Sequence, residues 1–350
     1  MGDRERTDVK AAGGAGGADR ADTAAAYRGA GVDLDAHAAL MRRLGPLAAT
    51  TARPWSLGGV GLFAGAFALP GGMDDPVLVA STDSVGSKVL LASACGRFRE
   101  VGEDIVVHCA NDVATSGARP LAFLDYLAVQ RLDADVALEC LEGVADACRR
   151  AGCGLVGGET AQLAEVYREG AWDLAGTLIG VVERGRLVRP CGEPGDVVVG
   201  LPSSGLHTNG FSLVRRILER TGTDPRRHAD TLLAVSALYS EDVARVCASG
   251  ATVRGMAHIT GGGLPGNLDR ALGPGVDAHL DERSWTRPAV FDWLAELGGI
   301  AAEEMRRVFN LGIGFCLIVP ASEAEAVCAL LTGARRIGRL AAGEGRVRFR

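Results

Sequence analysis

Apolar and polar positions along the chain follow a period near 3.6 in some stretches and short strand-like runs in others, and the two patterns take turns. Asp35 to Leu44 has the spacing of a short amphipathic helix. Val77 to Ala80 is a β-branched apolar run of the length of a buried strand. Val101 to Ser116 reads as a helix, Leu121 to Val129 as a strand, and Val136 to Ala151 as a helix with Val136, Leu141, Val144, Ala145 and Cys148 on its apolar side. Gly152 follows as a C-cap. Gly154 to Val156 is a short strand leading into a Gly157–Thr160 loop, and Leu174 to Val182 is a further strand. Gly58-Gly59-Val60-Gly61 before the apolar Leu62–Leu69 suggests a bulged strand, where glycine permits close backbone approach.

Residues 184–196 mix Arg, Gly, Pro and Glu like a connector, and the alternation restarts beyond them. Strands are expected at Val197–Leu201 and Phe315–Val319. Helices are expected at Phe211–Arg220, Leu232–Ala248, Leu264–Leu272, part of Trp285–Leu297, and Ala321–Leu331. Alternating elements in both halves predict an α/β (α+β) fold of two domains, residues 27–185 and 196–350. The tail 1–26, rich in Gly, Ala, Asp and Arg, holds too little apolar surface to order itself.

Composition narrows the class. A chain of 350 residues, 47% hydrophobic and 23% charged, has the profile of a soluble globular protein with room for two cores. A net charge of −6 and 5% aromatic residues argue against a nucleic-acid surface, though not against a local pocket for a phosphorylated small molecule. No apolar run spans a bilayer and no secretory h-region opens the chain, so a cytoplasmic location is expected. The 9 cysteines are scattered without a Cys-x-x-Cys pair and read as reduced core residues. Cys148 and Cys153 are poorly spaced for a metal.

Candidate chemistry gathers in a few short segments. Ser81-Thr82-Asp83-Ser84-Val85-Gly86-Ser87-Lys88 follows the first strand and offers a carboxylate for a metal ion and a lysine for phosphate. Asp83, Asp112 and Glu159 each stand beside small residues at the ends of expected elements. Taken singly, each is equally a cap or a surface charge. Brought together they would repel without a cation, and hard oxygen donors suit Mg²⁺ with substrate phosphates. In Ser203-Ser204-Gly205-Leu206-His207-Thr208-Asn209-Gly210 a strand meets a helix, whose N-terminal N–H groups can hold an anion. His207 there is a candidate for proton transfer or substrate binding, and equally a turn histidine; His258-Ile259-Thr260-Gly261-Gly262-Gly263 has the same form. No Walker A sequence occurs, and the glycines at 58, 59, 61 and 65 miss the G-x-G-x-x-G spacing.

Several of these motifs occur together in one family. VASTDSVGSK, Asn111-Asp112, FLDYLAV, GCGLVGGETAQ, SSGLHTNGFSLVR, HITGGGLPGN and FNLGIG stand in the order seen in phosphoribosylformylglycinamidine cyclo-ligases. From about Tyr27 to Val319 the chain resembles that family. The resemblance implies an ATP-dependent ring closure of formylglycinamidine ribonucleotide. Phosphoryl transfer would activate the formamide oxygen, an internal nitrogen would attack the carbon, and phosphate would leave. It assigns Asp83, Lys88, Asn111, Asp112 and Glu159 to ATP and Mg²⁺, with Asp83, Asp112 and Glu159 as metal ligands. Arg28, Gly58, Gly59 and Gly61 fall near the nucleotide; His207 and Asn209 fall to the substrate; Lys88, His207 and His258 are the catalytic candidates. It also implies a homodimer built through the N-terminal sheet, with the site in the cleft between domains. The chain departs from the family at DSVGSK for DGVGTK, at Arg28 for lysine, and at Val235-Ser236-Ala237 for Pro-Thr-Arg. The last departure keeps two other readings open: a divergent relative activating another amide or carbonyl with ATP, and a nucleotide-binding paralogue without turnover.

Overall fold

The computed structural model describes residues 33–61 and 63–350; the tail 1–26, Arg28 and Leu62 lie outside the described residues. Asp33 starts α1 (Leu34–Ala49) as its N-cap, its carboxylate accepting from the N–H groups of Asp35 and Ala36. Strands β1 (Pro76–Ser84), β2 (Arg119–Val129), β3 (Gly154–Gln162) and β4 (Trp172–Glu183) form a sheet in the order β1-β4-β2-β3. β4 is antiparallel to β1 and β2, and β3 is parallel to β2. On its inner face lie α2 (Lys88–Cys95), α3 (Arg99–Ala114) and α4 (Ala134–Ala151). α3 and α4 approach closely because Gly102 and Gly143 face backbone: a Cβ at either would strike the carbonyl of Cys140 or of Arg99.

The second half is built on six strands, β5 (Val197–Pro202), β6 (Gly255–His258), β7 (Val276–Leu280), β8 (Ile313–Val319), β9 (Arg335–Ala342) and β10 (Val347–Phe349), in the order β10-β7-β9-β5-β8-β6. All neighbours are antiparallel except β10 and β7. Every residue of β8 is buried, which is why it reads as an unbroken apolar run. Its helices are α5 (Phe211–Thr221), α6 (Ala229–Leu232), α7 (Ser240–Ala248), α8 (Gly263–Leu268), α9 (Ala289–Gly298), α10 (Ala302–Val308) and α11 (Ala324–Leu330). α7 and α11 share a core with one face of the sheet through Val243, Val246 and Val327, and α8 packs on the other through Leu264 and Leu268. The apolar core of the first half runs on into Phe211, Leu233, Phe291 and Phe309 of the second.

Three expectations change. Leu232–Ala248 is not one helix: it is irregular from Leu233 to Tyr239, because its backbone is bound to α3 and α2 instead of to itself. Gly157–Thr160 is not a loop but the second half of β3. Among the described residues from Gly58 to Leu69 there is no bulged strand: Phe67 makes an isolated bridge with Ser56, and it packs beside Trp55 against the outer face of the first sheet.

Candidate active site

Strand alternation decides which side of β1 can meet α3. Val77, Val79, Ser81 and Asp83 face inward, while Leu78, Ala80, Thr82 and Ser84 face outward. At the end of β1, Asp83 Oδ2 accepts from His108 Nε2 of α3 at 2.9 Å. His108 Nδ1 lies 2.7 Å from Thr208 Oγ1, in the loop after β5. One turn further along α3, Asp112 Oδ1 lies 2.9 Å from His258 Nδ1 at the end of β6, and Asp112 Oδ2 accepts from Ser81 Oγ at 3.1 Å. The two imidazole rings sit edge to face, 5.0 Å apart. All four groups line a cleft of about 560 Å³ whose wall also includes Thr260, Asn267 and Arg270. Arg270 is exposed and makes no ion pair or side-chain hydrogen bond among the described residues.

The two pairs titrate apart. Burial opposes the charge on Asp83, but the hydrogen bond and the charge of His108 outweigh it, and the carboxyl pKa falls below its usual value. Burial likewise opposes a charge on His108, yet Asp83, with Asp112 and Asp104 beyond it, raises the imidazole pKa. Asp112 follows the pattern of Asp83: burial is outweighed by His258, His108 and Ser81, and its pKa falls. His258 goes the other way. Burial dominates, the cation of His108 adds to it, and the hydrogen bond to Asp112 does not compensate, so its pKa is lowered and the ring is neutral. The cleft thus holds two carboxylates, an imidazolium-favouring His108 and a neutral His258.

The other expected residues lie elsewhere. Lys88 is fully buried and does not reach the cleft. Its ammonium binds Asp104 Oδ2 at 2.5 Å and donates to the carbonyls of His207 (3.0 Å) and Ala234 (3.2 Å), with the Phe211 ring 5.2 Å away. A lysine so enclosed is a structural tie between α2 and the second half. Asn111 is also structural: its side chain bonds the backbone of Ala237 and Tyr239, each at 2.8 Å. His207 is buried in left-handed backbone at φ 59°, where its Nε2 accepts from the N–H of Ser204 (3.2 Å) and, more weakly, of Ala237 (3.4 Å). Burial pushes its pKa well below the usual value, with His258, Lys88 and His108 adding to the effect. In this position the ring ties the Ser204 turn to the Ala237 backbone, and it makes no cap on the helix that follows, whose N-cap is Gly210. Asn209 stands against Gly261 of the glycine loop, near Thr208.

Glu159 is not with the other carboxylates. The register Asp83–Gly176–Asp125–Gly158 runs along the inner face of the first sheet, and Glu159 pairs with Tyr126 on the outer face, three strands from β1, about 14 Å at 4.8 Å per strand. Gly58, Gly59 and Gly61 do not line the cleft; they fall in the chain between Trp55, whose Nε1 donates to Leu121 O at 3.1 Å, and Phe67, and both of those rings pack on that outer face. Ser84 carries no strain where the family has glycine, since it is an extended strand residue and not among those with positive φ.

Comparison with known proteins now bears on this site. Residues 65–182 match the family model for the AIR synthase related protein N-terminal domain, and residues 193–349 the model for its C-terminal domain. The chain is 47% identical over 310 residues to a phosphoribosylformylglycinamidine cyclo-ligase of Synechococcus sp. (strain CC9605), covering 86% of this chain and 90% of that one. It is 49% identical over 312 residues to one from Sorangium cellulosum (strain So ce56), covering 85% and 89%. The chain belongs to the phosphoribosylformylglycinamidine cyclo-ligase family. Among solved structures, a hydrogenase maturation protein in complex with ATP superposes with a TM-score of 0.66 at 20% identity, covering 87% of this chain and 88% of that one. A thiamine-monophosphate kinase from Stenotrophomonas maltophilia K279a superposes with a TM-score of 0.65 at 22% identity, covering 87% and 94%. At such identities these neighbours establish a shared fold.

In this member of the family, sequence reasoning passed over His108, Ser81, Thr208 and Arg270. A signal for the first was present. Asp104, His108 and Asp112 recur at i, i+4 and i+8 on a helix whose other polar side chains are Arg99, Glu100, Glu103 and Asn111, and that spacing places the three on one face. Ser81, Thr208 and Arg270 carried no such signal, because each becomes relevant only through a contact distant in sequence.

Proposed function

We propose that the chain is an ATP-dependent cyclo-ligase that closes formylglycinamidine ribonucleotide to aminoimidazole ribonucleotide, with release of ADP and phosphate. The observation that carries this reading is 45–49% identity to named cyclo-ligases over most of both chains. The cleft suits the chemistry. Asp83 and Asp112 are ionised, their side chains are 39% and 33% exposed, and both open on one space, so their oxygens fit a Mg²⁺ ion that accompanies ATP. When bound, such an ion neutralises charge on the transferring phosphoryl group.

The chain's own groups do the rest. Arg270 at the cleft wall is placed to receive a phosphate. His258, neutral and hydrogen-bonded to Asp112, holds that carboxylate in place and keeps a second ring nitrogen for a proton. The outer face of the first sheet leaves Leu78 57% and Tyr126 40% exposed, which supports a homodimer formed there. Among the described residues no helix is long and apolar enough to cross a membrane, and all 9 cysteines are free thiols, in keeping with a cytoplasmic enzyme.

ADP release measured with and without formylglycinamidine ribonucleotide tests the reading. Release that depends on this substrate is expected, and Asp83→Asn and Asp112→Asn should each reduce it by about 10²–10³-fold while the melting transition persists. Substrate-independent release, or none at all, would overturn the assignment.

A further inference from the structure

The cleft carries donors that Mg²⁺ does not require. His108, Asp112 and His258 each present one ligand atom, and these atoms all lie within 4.8 Å of one another. Mg²⁺ takes oxygen ligands, whereas imidazole nitrogen suits Zn²⁺, Co²⁺ and related first-row cations. We propose that His108, Asp112 and His258 form a binding site for a first-row transition cation of the Zn²⁺ type, opening on the same cleft. Two imidazoles and one carboxylate with a side left open is the donor set of a catalytic zinc site rather than a closed structural one.

Three features of the geometry support it. First, His258 Nδ1 and Asp112 Oδ1 are 2.9 Å apart and share a proton. A cation drawing on both atoms takes that proton's place with little movement, and the proton passes to the ring's other nitrogen, Nε2, so that the imidazole stays neutral. Second, both nitrogens of His108 have partners, Asp83 at 2.9 Å and Thr208 at 2.7 Å. When one nitrogen turns to the ion, the other keeps its oxygen partner, which is how metal-bound imidazoles are oriented. Third, the donors sit on regular elements. His108 and Asp112 are one turn apart on α3, and His258 ends β6, so the site does not depend on ordering a loop. Ser81 Oγ holds the second oxygen of Asp112 at 3.1 Å and sets the carboxylate plane.

The inference deepens the proposed function, because Asp112 is common to both, but the imidazoles define it and it can be measured without nucleotide. The probe is Co²⁺, titrated into the full-length chain and read by its visible ligand-field absorption, with calorimetric titration of Zn²⁺ alongside. A visible band saturating at a single site is expected, without the near-ultraviolet charge-transfer band of a cysteine ligand. His108→Gln and His258→Gln should each weaken Zn²⁺ by at least about 100-fold, and Asp83→Asn, which removes an orienting partner, by about tenfold. Because Asp83 is 39% exposed, its variant keeps the measurement interpretable should the buried histidine variants fail to fold.

No visible band, a thiolate band, or affinity unchanged in the three variants would overturn the site. The two readings fail separately. Substrate-dependent ADP release without Co²⁺ binding removes only the metal site. Co²⁺ binding with the expected signature, without such release, removes only the cyclo-ligase reading.

Discussion

Helix α3 carries inward-facing charge at Asp104 and, one to two turns further on, at His108 and Asp112, and the two places behave differently. At Asp104 the charge is enclosed. Asp104 and Lys88 are both 0% exposed and 2.5 Å apart, and Asp104 Oδ1 also accepts from the N–H and hydroxyl of Ser236 at 2.8 and 2.7 Å. At His108 and Asp112 the charges open on the cleft, and each carboxylate there keeps about a third or more of its side chain exposed. A buried pair with every donor engaged holds α2, α3 and the Leu233–Tyr239 segment together and cannot exchange partners without a large loss. A half-open carboxylate beside an imidazole can trade its hydrogen bond for a ligand. Asp83 and Lys88 fall in one sequence motif, yet the fold sends them to opposite sides of this divide.

The largest test of that contrast is at Lys88. Lys88→Met leaves the Asp104 charge buried and unpaired, and we expect a loss of about 3–5 kcal/mol in denaturant unfolding. The double variant Lys88→Met/Asp104→Leu should recover most of it. Unchanged stability with lost turnover would mean that the lysine belongs to the site, and the contrast would collapse.

A second enclosed carboxylate sharpens the comparison away from the cleft. Asp277 of β7 accepts from the N–H groups of Glu344 (2.7 Å) and Arg346 (2.9 Å) and from Arg348 Nε (2.7 Å). The Arg346 backbone hydrogen bond leads, with the Arg348 side chain and the Glu344 backbone following, in holding its pKa well below the usual carboxylate value. A depressed folded-state pKa gives stability that is present above the unfolded value, about 3.9, and lost as pH falls towards the folded one. Asp277→Asn should therefore melt lower than wild type at neutral pH and show a flatter decline in acid. Parallel melting curves from pH 7 down to acid would show that Asp277 contributes nothing through its charge.

The smallest effect is expected at the Leu233–Tyr239 segment, where relatives carry Pro-Thr-Arg. Its backbone is fixed by Asp104, Asn111 and Lys88, and Ser236 supplies the hydroxyl that a threonine would. The triple variant Val235→Pro/Ser236→Thr/Ala237→Arg should keep the fold and lower KM for formylglycinamidine ribonucleotide by about tenfold, the gain from one charge-assisted phosphate contact. An unchanged KM would place phosphate recognition elsewhere, with Arg270 the first residue to examine.

Much of this protein was determined by sequence alone. The alternation of strand and helix patterns, the Gly152 cap at φ 77° and the unbroken apolar run of β8 follow from local periodicity and backbone preference, and they reappear as expected. The ordered motifs pointed to the family for the same reason: each is a local string. What only the tertiary structure decided is which side of the sheet a residue faces and how much water remains around it. Glu159 reads like Asp83 as a carboxylate among small residues, but the pleat turns it to the outer face. Lys88 reads as a phosphate ligand until Asp104 and two carbonyls enclose it, and His108 has no evident role until Asp83, Thr208 and His258 converge on it. Charge interactions depend on distance and on burial, and neither is a property of a residue's neighbours in the chain.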